Sequence, residues 1–264
     1  MAEALRIGVI GGGGWLGGAI AQNVLDSGIA PAEHLTLSYR STRPSRFPGA
    51  RWTSDNQELA DLSDVIVVSV RPADWPALAL SARGKLVISV MAGITLDELL
   101  TRSKTDRAVR ALPNAAAEVG KSYTPWVASP GVTAEDRRFV KRLFDACGTG
   151  EEIPGEGELD YLTGLSGSGP AFPALLAAAM MRDAVSRGLR PDVAQRAVNA
   201  VLVGAGRLLE KNSQSPEATV ETFLAYRGTT AAAIEAMRSA GFDTAVEAGL
   251  EAAVRKSADM GKRA

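Results

Sequence analysis

A glycine-rich turn near the amino terminus limits what this chain can fold into more than any other segment. The run GVIGGGGWLGG, residues 8–18, follows a short apolar strand candidate at residues 5–10. It leads into helically spaced apolar residues at 19–25. Gly12, Gly14 and Gly17 satisfy G-x-G-x-x-G. In a strand-turn-helix context the first glycine makes the tight turn and the second lets backbone approach a pyrophosphate. The third lets helix and strand pack closely. Free N–H groups and the macrodipole at the helix start favour an anion there. An added Gly11 leaves the frame ambiguous by one residue. A glycine-rich turn without a ligand is the bland alternative; the position between strand and helix favours the dinucleotide.

The second strand candidate, residues 35–39, bears on which dinucleotide. NAD sites usually place Asp or Glu at this strand's end to accept from the ribose 2′-OH. Here the chain reads Ser38-Tyr39-Arg40-Ser41-Thr42-Arg43, with no acid. Two guanidiniums and two hydroxyls suit a 2′-phosphate, so the expected cofactor is NADP, with NADPH as its reduced form. The alternative is that Arg40 and Arg43 only solvate a loop.

Further apolar runs at residues 65–70, 86–90 and 107–112 alternate with helical segments. This pattern predicts a parallel sheet with helices on both faces. Near residue 158 alanine takes over and β-branched runs cease. We divide the chain at 1–158 and 159–264, the second part all-helical. Gly188 ends one helix, Pro191 opens the next, and Ser215-Pro216 is an N-cap pair. Gly241 follows a helix over 231–237, and Thr244 with Glu247 has capping-box spacing. The stretches 174–181 and 197–209 are apolar on most of their surface. Helices of that kind must be buried, and roughly a hundred helical residues bury little alone. We therefore expect an intertwined homodimer or higher homo-oligomer through this part; docking against the amino-terminal part is the alternative.

Composition closes off other classes. With 46% hydrophobic and 22% charged residues a packed core is expected, and a net charge of −1 gives no nucleic-acid footprint. One cysteine, Cys147, excludes an internal disulfide and disfavours a cysteine metal site, so no metal is expected. The one histidine, His34, sits just before an apolar run at a loop-to-strand junction and reads as surface. The longest apolar run, residues 171–181, is short of the ~20 needed to span a bilayer, and no secretory signal is visible. The expectation is a cytoplasmic protein with no membrane partner.

Several segments resemble the pyrroline-5-carboxylate reductase family. They are SDVIVVSVRP at 63–72, VISVMAGIT at 87–95, VRALPN at 109–114, GLSGSGPAF at 164–172 and RGTTAAAIEAM at 227–237. They occur in family order across nearly the whole chain. The resemblance implies a Rossmann-type dinucleotide-binding domain plus an all-helical carboxy-terminal dimerisation domain. It implies NADPH-dependent reduction of a cyclic imino acid, 1-pyrroline-5-carboxylate to L-proline, hence proline biosynthesis. By the same resemblance Gly12, Gly14 and Gly17 hold the pyrophosphate, and Arg40 and Ser41 face the 2′-phosphate. Asn56, Val70, Arg71 and Ala92 line the rest, with Trp15, Leu16, Pro72 and Gly93 completing the expected cofactor set. Gly228, Thr229 and Thr230 hold the substrate carboxylate, and the Thr230 hydroxyl donates near the ring nitrogen as the one catalytic candidate.

Two departures bear on specificity. Pro113-Asn114-Ala115-Ala116 stands where the family has Pro-Asn-Thr-Pro, and Ala225-Tyr226-Arg227-Gly228 where it has Ser-Pro-Gly-Gly. Arg227 can engage a carboxylate bidentately, which would select a different imine; or it points outward. Trp15, large for the glycine loop, stacks near the adenine or packs against the next helix, and packing is the expected choice. Two rivals stand beside this reading. A 3-hydroxyacid-type dehydrogenase would need a lysine that residues 170–188 lack. A non-catalytic NADP-binding protein is kept open by the altered loop.

Overall fold

The computed structural model describes residues 5–211 and 214–261. Its contacts divide the chain into two compact units. The first runs to Ser168 and takes in the chain from Ala252; the second is Gly169–Glu251. The division expected at 158/159 falls inside a helix, Glu156–Leu162.

The first unit holds one eight-stranded sheet. Its strands are β1 (Ile7–Ile10), β2 (Leu35–Ser38), β3 (Arg51–Thr53), β4 (Val65–Val68), β5 (Leu86–Ser89), β6 (Arg107–Ala111), β7 (Ser122–Ala128) and β8 (Gly148–Glu152). The order is β3-β2-β1-β4-β5-β6-β7-β8. Every pairing is parallel except β6 with β7. The helices are α1 (Trp15–Asp26), α2 (Asn56–Asp61), α3 (Leu96–Ser103), α4 (Ala134–Ala146) and α5 (Glu156–Leu162).

The two-residue period of the strands sorts their side chains into two cores. Val65 and Val67 join Ile20 and Val24 of α1 and Phe144 of α4 in one cluster. Ile66 and Val68 join Leu59 of α2 and Leu99 of α3 in the other. The apolar run at 65–68 is therefore continuous because both faces are covered. Gly8, on β1, makes room for α2: a Cβ there would lie 2.4 Å from a Leu59 methyl.

The sequence pattern marks five of these strands and omits β3, β7 and β8. The wholly parallel expectation is corrected at β7, which runs antiparallel to β6. Pro125 lies within β7, and β8 reads Gly-Thr-Gly-Glu-Glu, so neither carries the alternation that betrays a strand. The carbonyl of Pro125 still accepts from the Leu112 N–H at 3.0 Å, a bond for which proline needs no donor.

The second unit is helical: α6 (Ala171–Ser186), α7 (Pro191–Lys211), α8 (Pro216–Ala225), α9 (Thr229–Ser239) and the first half of α10 (Phe242–Gly261). Gly188 and Gly241 take positive φ beyond their helices, and the Ser215 hydroxyl accepts from the Ala218 N–H at 3.2 Å. The Thr244-Glu247 spacing is not a helix start. The chain restarts at Phe242, directly after Gly241, which leaves Thr244 inside α10. No residue of α6 is buried, and α7 buries only Ala194 and Val198. Leu175 is 68% exposed and Val203 66%.

Candidate functional site

A cleft of about 530 Å³ opens at the carboxyl ends of β1, β2 and β4. The strand order reverses there, since β1 sits between β2 and β4. Open parallel sheets bind ligands at such switch points. Gly11, Gly13 and Gly14 line the cleft on one side, residues 38–42 and Pro44 on a second, and Val70, Asp74, Ala77 and Leu78 on a third.

The glycine turn settles the frame. Gly11, rather than Gly12, makes the left-handed turn, with φ +81°, and a Cβ there would lie 2.3 Å from the Ser69 carbonyl oxygen. Its N–H donates to the Ser38 hydroxyl at 3.1 Å, tying the turn to β2. Gly12 is buried beneath, with Leu37 carbons 3.0 Å from where its Cβ would be. Gly14 is the N-cap of α1 and brings no side chain to occupy the helix's first N–H groups. Gly17 packs the helix onto the turn, 2.5 Å separating a notional Cβ from the Gly11 oxygen.

Trp15 and Leu16 do not line the cleft. The expected packing of Trp15 on a helix is overturned: it stands at the surface, 61% exposed, and its indole N–H donates to the Glu118 carboxylate. Leu16 packs, half-buried, on the sheet core.

Arg40, Ser41 and Thr42 line the cleft, whereas Arg43 is exposed and absent from its wall. The loop that carries them is anchored by aromatics. Phe47 is buried at φ +60° and stacks on Trp52 with 6.3 Å between centroids. The Trp52 indole donates to the Arg46 carbonyl at 3.2 Å. Asn56 opens α2, and Asp55 caps that helix, accepting from the Gln57 and Glu58 N–H groups at 2.8 and 3.2 Å. Asn56 therefore lines the cleft without also serving as the cap.

Arg71 and Pro72, expected in the cofactor site, are absent from the cleft wall and begin a 3-10 turn, Pro72–Ala77, beside it. The Arg71 guanidinium pairs with Asp74, which also pairs with Arg40. Those two guanidiniums, Arg71 before Arg40, hold the Asp74 carboxyl below the usual carboxylate range. Ala92 and Gly93 lie past β5, outside this cleft. Ala92 packs against Leu112, Val127 and Leu159, and Gly93 takes φ +77°.

Sequence reasoning missed Ser54, Asp74, Ala77 and Leu78 in the wall. Ser54 follows the three-residue β3, too short for a periodic signal. Asp74 reaches the cleft only because the chain folds back in a 3-10 turn.

Asn114 joins two of the family-like segments. Its carbonyl oxygen accepts from the Ala116 N–H and its amide donates to the Ser166 carbonyl, both at 2.9 Å. Ser166 lies in a turn of π-helix, Thr163–Gly167, a geometry frequent at functional sites.

The second unit carries the candidate substrate loop. Gly228 is the N-cap of α9 and makes no side-chain cap, so Thr229 and Thr230 are the first helical residues rather than caps. Both are exposed, and the first-turn N–H groups of a helix have no partner within it. Arg227 takes φ +52°, and Tyr226 is 86% exposed.

Comparison with known proteins agrees with this architecture. A profile described as pyrroline-5-carboxylate reductase dimerisation matches residues 156–260, and one described as NADP oxidoreductase, coenzyme F420-dependent, matches residues 6–93. The chain is similar to the pyrroline-5-carboxylate reductase of Synechocystis, 30% identical over 267 residues, covering 98% of this chain and 100% of that one. The Arabidopsis thaliana enzyme of the same name is 30% identical over 98% of this chain and 96% of its own. The crystal structure of Plasmodium falciparum pyrroline carboxylate reductase with NADP bound superposes with a TM-score of 0.87. It is 26% identical and covers 98% of this chain and 99% of that chain.

Proposed function

The chain belongs to the pyrroline-5-carboxylate reductase family, and from that premise we propose that it reduces the C=N bond of 1-pyrroline-5-carboxylate to L-proline with NADPH. The observation that carries this reading is the relation over the full length of both chains, 30% identical across 98% of this one. The cleft fits the cofactor. Its glycine turn leaves bare backbone for a pyrophosphate, and Arg40, Ser41 and Thr42 replace the acid of NAD sites. Val70, Ala77 and Leu78 offer an apolar wall for the base.

Bound NADPH supplies the hydride for the imine carbon. The residues of the chain bind and orient. The backbone around Gly14 and the start of α1 receive the pyrophosphate, and Arg40 and Ser41 donate to the 2′-phosphate. Gly228, Thr229 and Thr230 hold the substrate carboxylate through N–H groups at the start of α9, with the Arg227 guanidinium beside them. The Thr230 hydroxyl donates to the ring nitrogen. A protonated imine is already electrophilic, so orientation rather than a strong general acid carries the rate.

The active species in this reading is a homodimer or larger homo-oligomer joined through the helical unit. The exposed apolar side chains of α6 and α7 support it.

The test is NADPH oxidation, followed by absorbance, with pyrroline-5-carboxylate and a panel of other cyclic imines. Turnover of pyrroline-5-carboxylate with proline as product is expected. A second reading rests on Arg227, a charged residue at a left-handed position. In it the loop selects an imine bearing another acidic group. Activity on such an imine with none on pyrroline-5-carboxylate would favour it, and silence across the panel would sink both.

A further inference from the structure

The lip of the cleft carries a charge triad. Asp74 Oδ1 accepts from Arg40 Nη2 at 2.8 Å and from Arg71 Nη2 at 3.4 Å, while Asp74 Oδ2 accepts from Arg71 Nε at 2.9 Å. The two arginines come from different segments, one after β2 and the other after β4. Their side chains are 73% and 75% exposed, against 27% for Asp74.

Asp74 is the fixed member. Its N–H donates to the Arg71 carbonyl at 2.8 Å within the 3-10 turn. The next residue, Trp75, is fully buried in the core beneath α2 and α3. Pro72 restricts the backbone at the start of the turn. Free arginine side chains sample many rotamers, and holding them in advance lowers what a ligand must order.

We propose that Asp74 is a positioning residue for cofactor choice. It holds the Arg40 and Arg71 guanidiniums at one side of the cleft and so strengthens preference for the dinucleotide bearing a 2′-phosphate. Two guanidiniums and one carboxylate leave a net positive charge for a phosphate to meet. A guanidinium has five N–H donors. Arg40 spends one on Asp74 and Arg71 spends two, so both keep donors for the phosphate. The neighbouring Ser41 and Thr42 hydroxyls line the same stretch of wall.

This inference rests on the NADPH reading above, and its test separates the two. Kd for NADPH and NADH, with KM and kcat, are measured on the full chain for the wild type, Asp74→Ala, Asp74→Asn and an Arg40→Ala/Arg71→Ala pair with and without Asp74→Ala. The expected result is a rise of about twofold to fivefold in Kd and KM for NADPH in Asp74→Ala, the range of exposed ion pairs. Asp74→Asn falls between it and the wild type. The NADH constants shift less than the NADPH constants, and Asp74→Ala adds nothing once both arginines are gone. Unchanged or tighter NADPH binding in Asp74→Ala overturns the proposal. Equal weakening of NADH overturns it too, since that reports a damaged cleft or a carboxylate that binds the ribose hydroxyl. A wild type without preference for NADPH sinks the cofactor reading and this inference with it; a wild type that prefers NADPH beside an Asp74→Ala variant that prefers it as strongly sinks this inference alone.

Discussion

At the scale of single residues, Thr230, Arg227 and Cys147 make separable claims. If the Thr230 hydroxyl donates to the ring nitrogen, Thr230→Ala lowers kcat by about tenfold, the worth of one good hydrogen bond, with a smaller effect on KM. Thr230→Ser restores it; an unchanged kcat in the alanine variant removes Thr230 from the mechanism. Arg227 holds φ +52°, which costs a side chain roughly 1 kcal/mol that glycine escapes. Arg227→Gly should therefore match or exceed the wild type in thermal stability while KM for the carboxylate substrate rises. An unmoved KM would put the guanidinium outside the site. Cys147 is buried, and burial pushes its thiol from 9.0 up to about 11, against a lowering by the Asn23 amide. The unfolded thiol ionises first, so its contribution to stability is complete below pH 9 and is lost as pH rises toward about 11. Denaturant titrations of the wild type and Cys147→Ala across that range should converge as pH rises. Parallel pH curves would refute the assignment.

At the scale of elements, one buried charge ties α5 to the sheet. The Arg110 side chain, on β6, is 2% exposed and donates to Glu156 at 2.9 Å and Asp160 at 2.6 Å. Glu156 also accepts from the Leu96 N–H at 3.1 Å, so the start of α3 leans on the same carboxylate. Arg110→Met is expected to destabilise by about 1–3 kcal/mol, below the cost of breaking a fully buried pair, because both acids are partly hydrated. Chemical denaturation measures this, and a loss under a few tenths of a kcal/mol would show the network to be idle. In the sequence, Arg110 reads as a polar interruption in a weak strand, since nothing local reveals the acids some fifty residues on that neutralise it. Strands β4 and β5 were legible because compact apolar runs rich in valine and isoleucine mark burial on both faces. Strands β7 and β8 were not, because proline, glycine and charge erase the period, and pairing with a neighbour supplies what the residues lack.

At the scale of the whole molecule, the helical unit leaves Leu175, Val201, Val203 and Leu208 between 54% and 68% exposed. The proposed oligomer would cover this apolar area. Leu175→Glu/Val203→Glu should shift sedimentation from the oligomer toward the single chain and lower thermal stability together. An oligomer that survives both charges would move the interface elsewhere. The faces that looked too apolar for a surface at residues 174–181 and 197–209 are the same ones that stay uncovered here.

The sequence by itself determined the class of fold, the glycine turn, the phosphate-favouring end of β2 and the helical character of the second half. These depend on local periodicity and on residue types with narrow conformational uses. Only the tertiary structure decided that Gly11 rather than Gly12 makes the turn, since the crowding comes from Ser69, just past β4. It alone put Trp15 on the surface, removed Arg43 from the cleft wall, and brought Asp74 between two arginines. Each of those outcomes depends on atoms distant in the chain, and no periodicity records which distant atoms a fold will bring together.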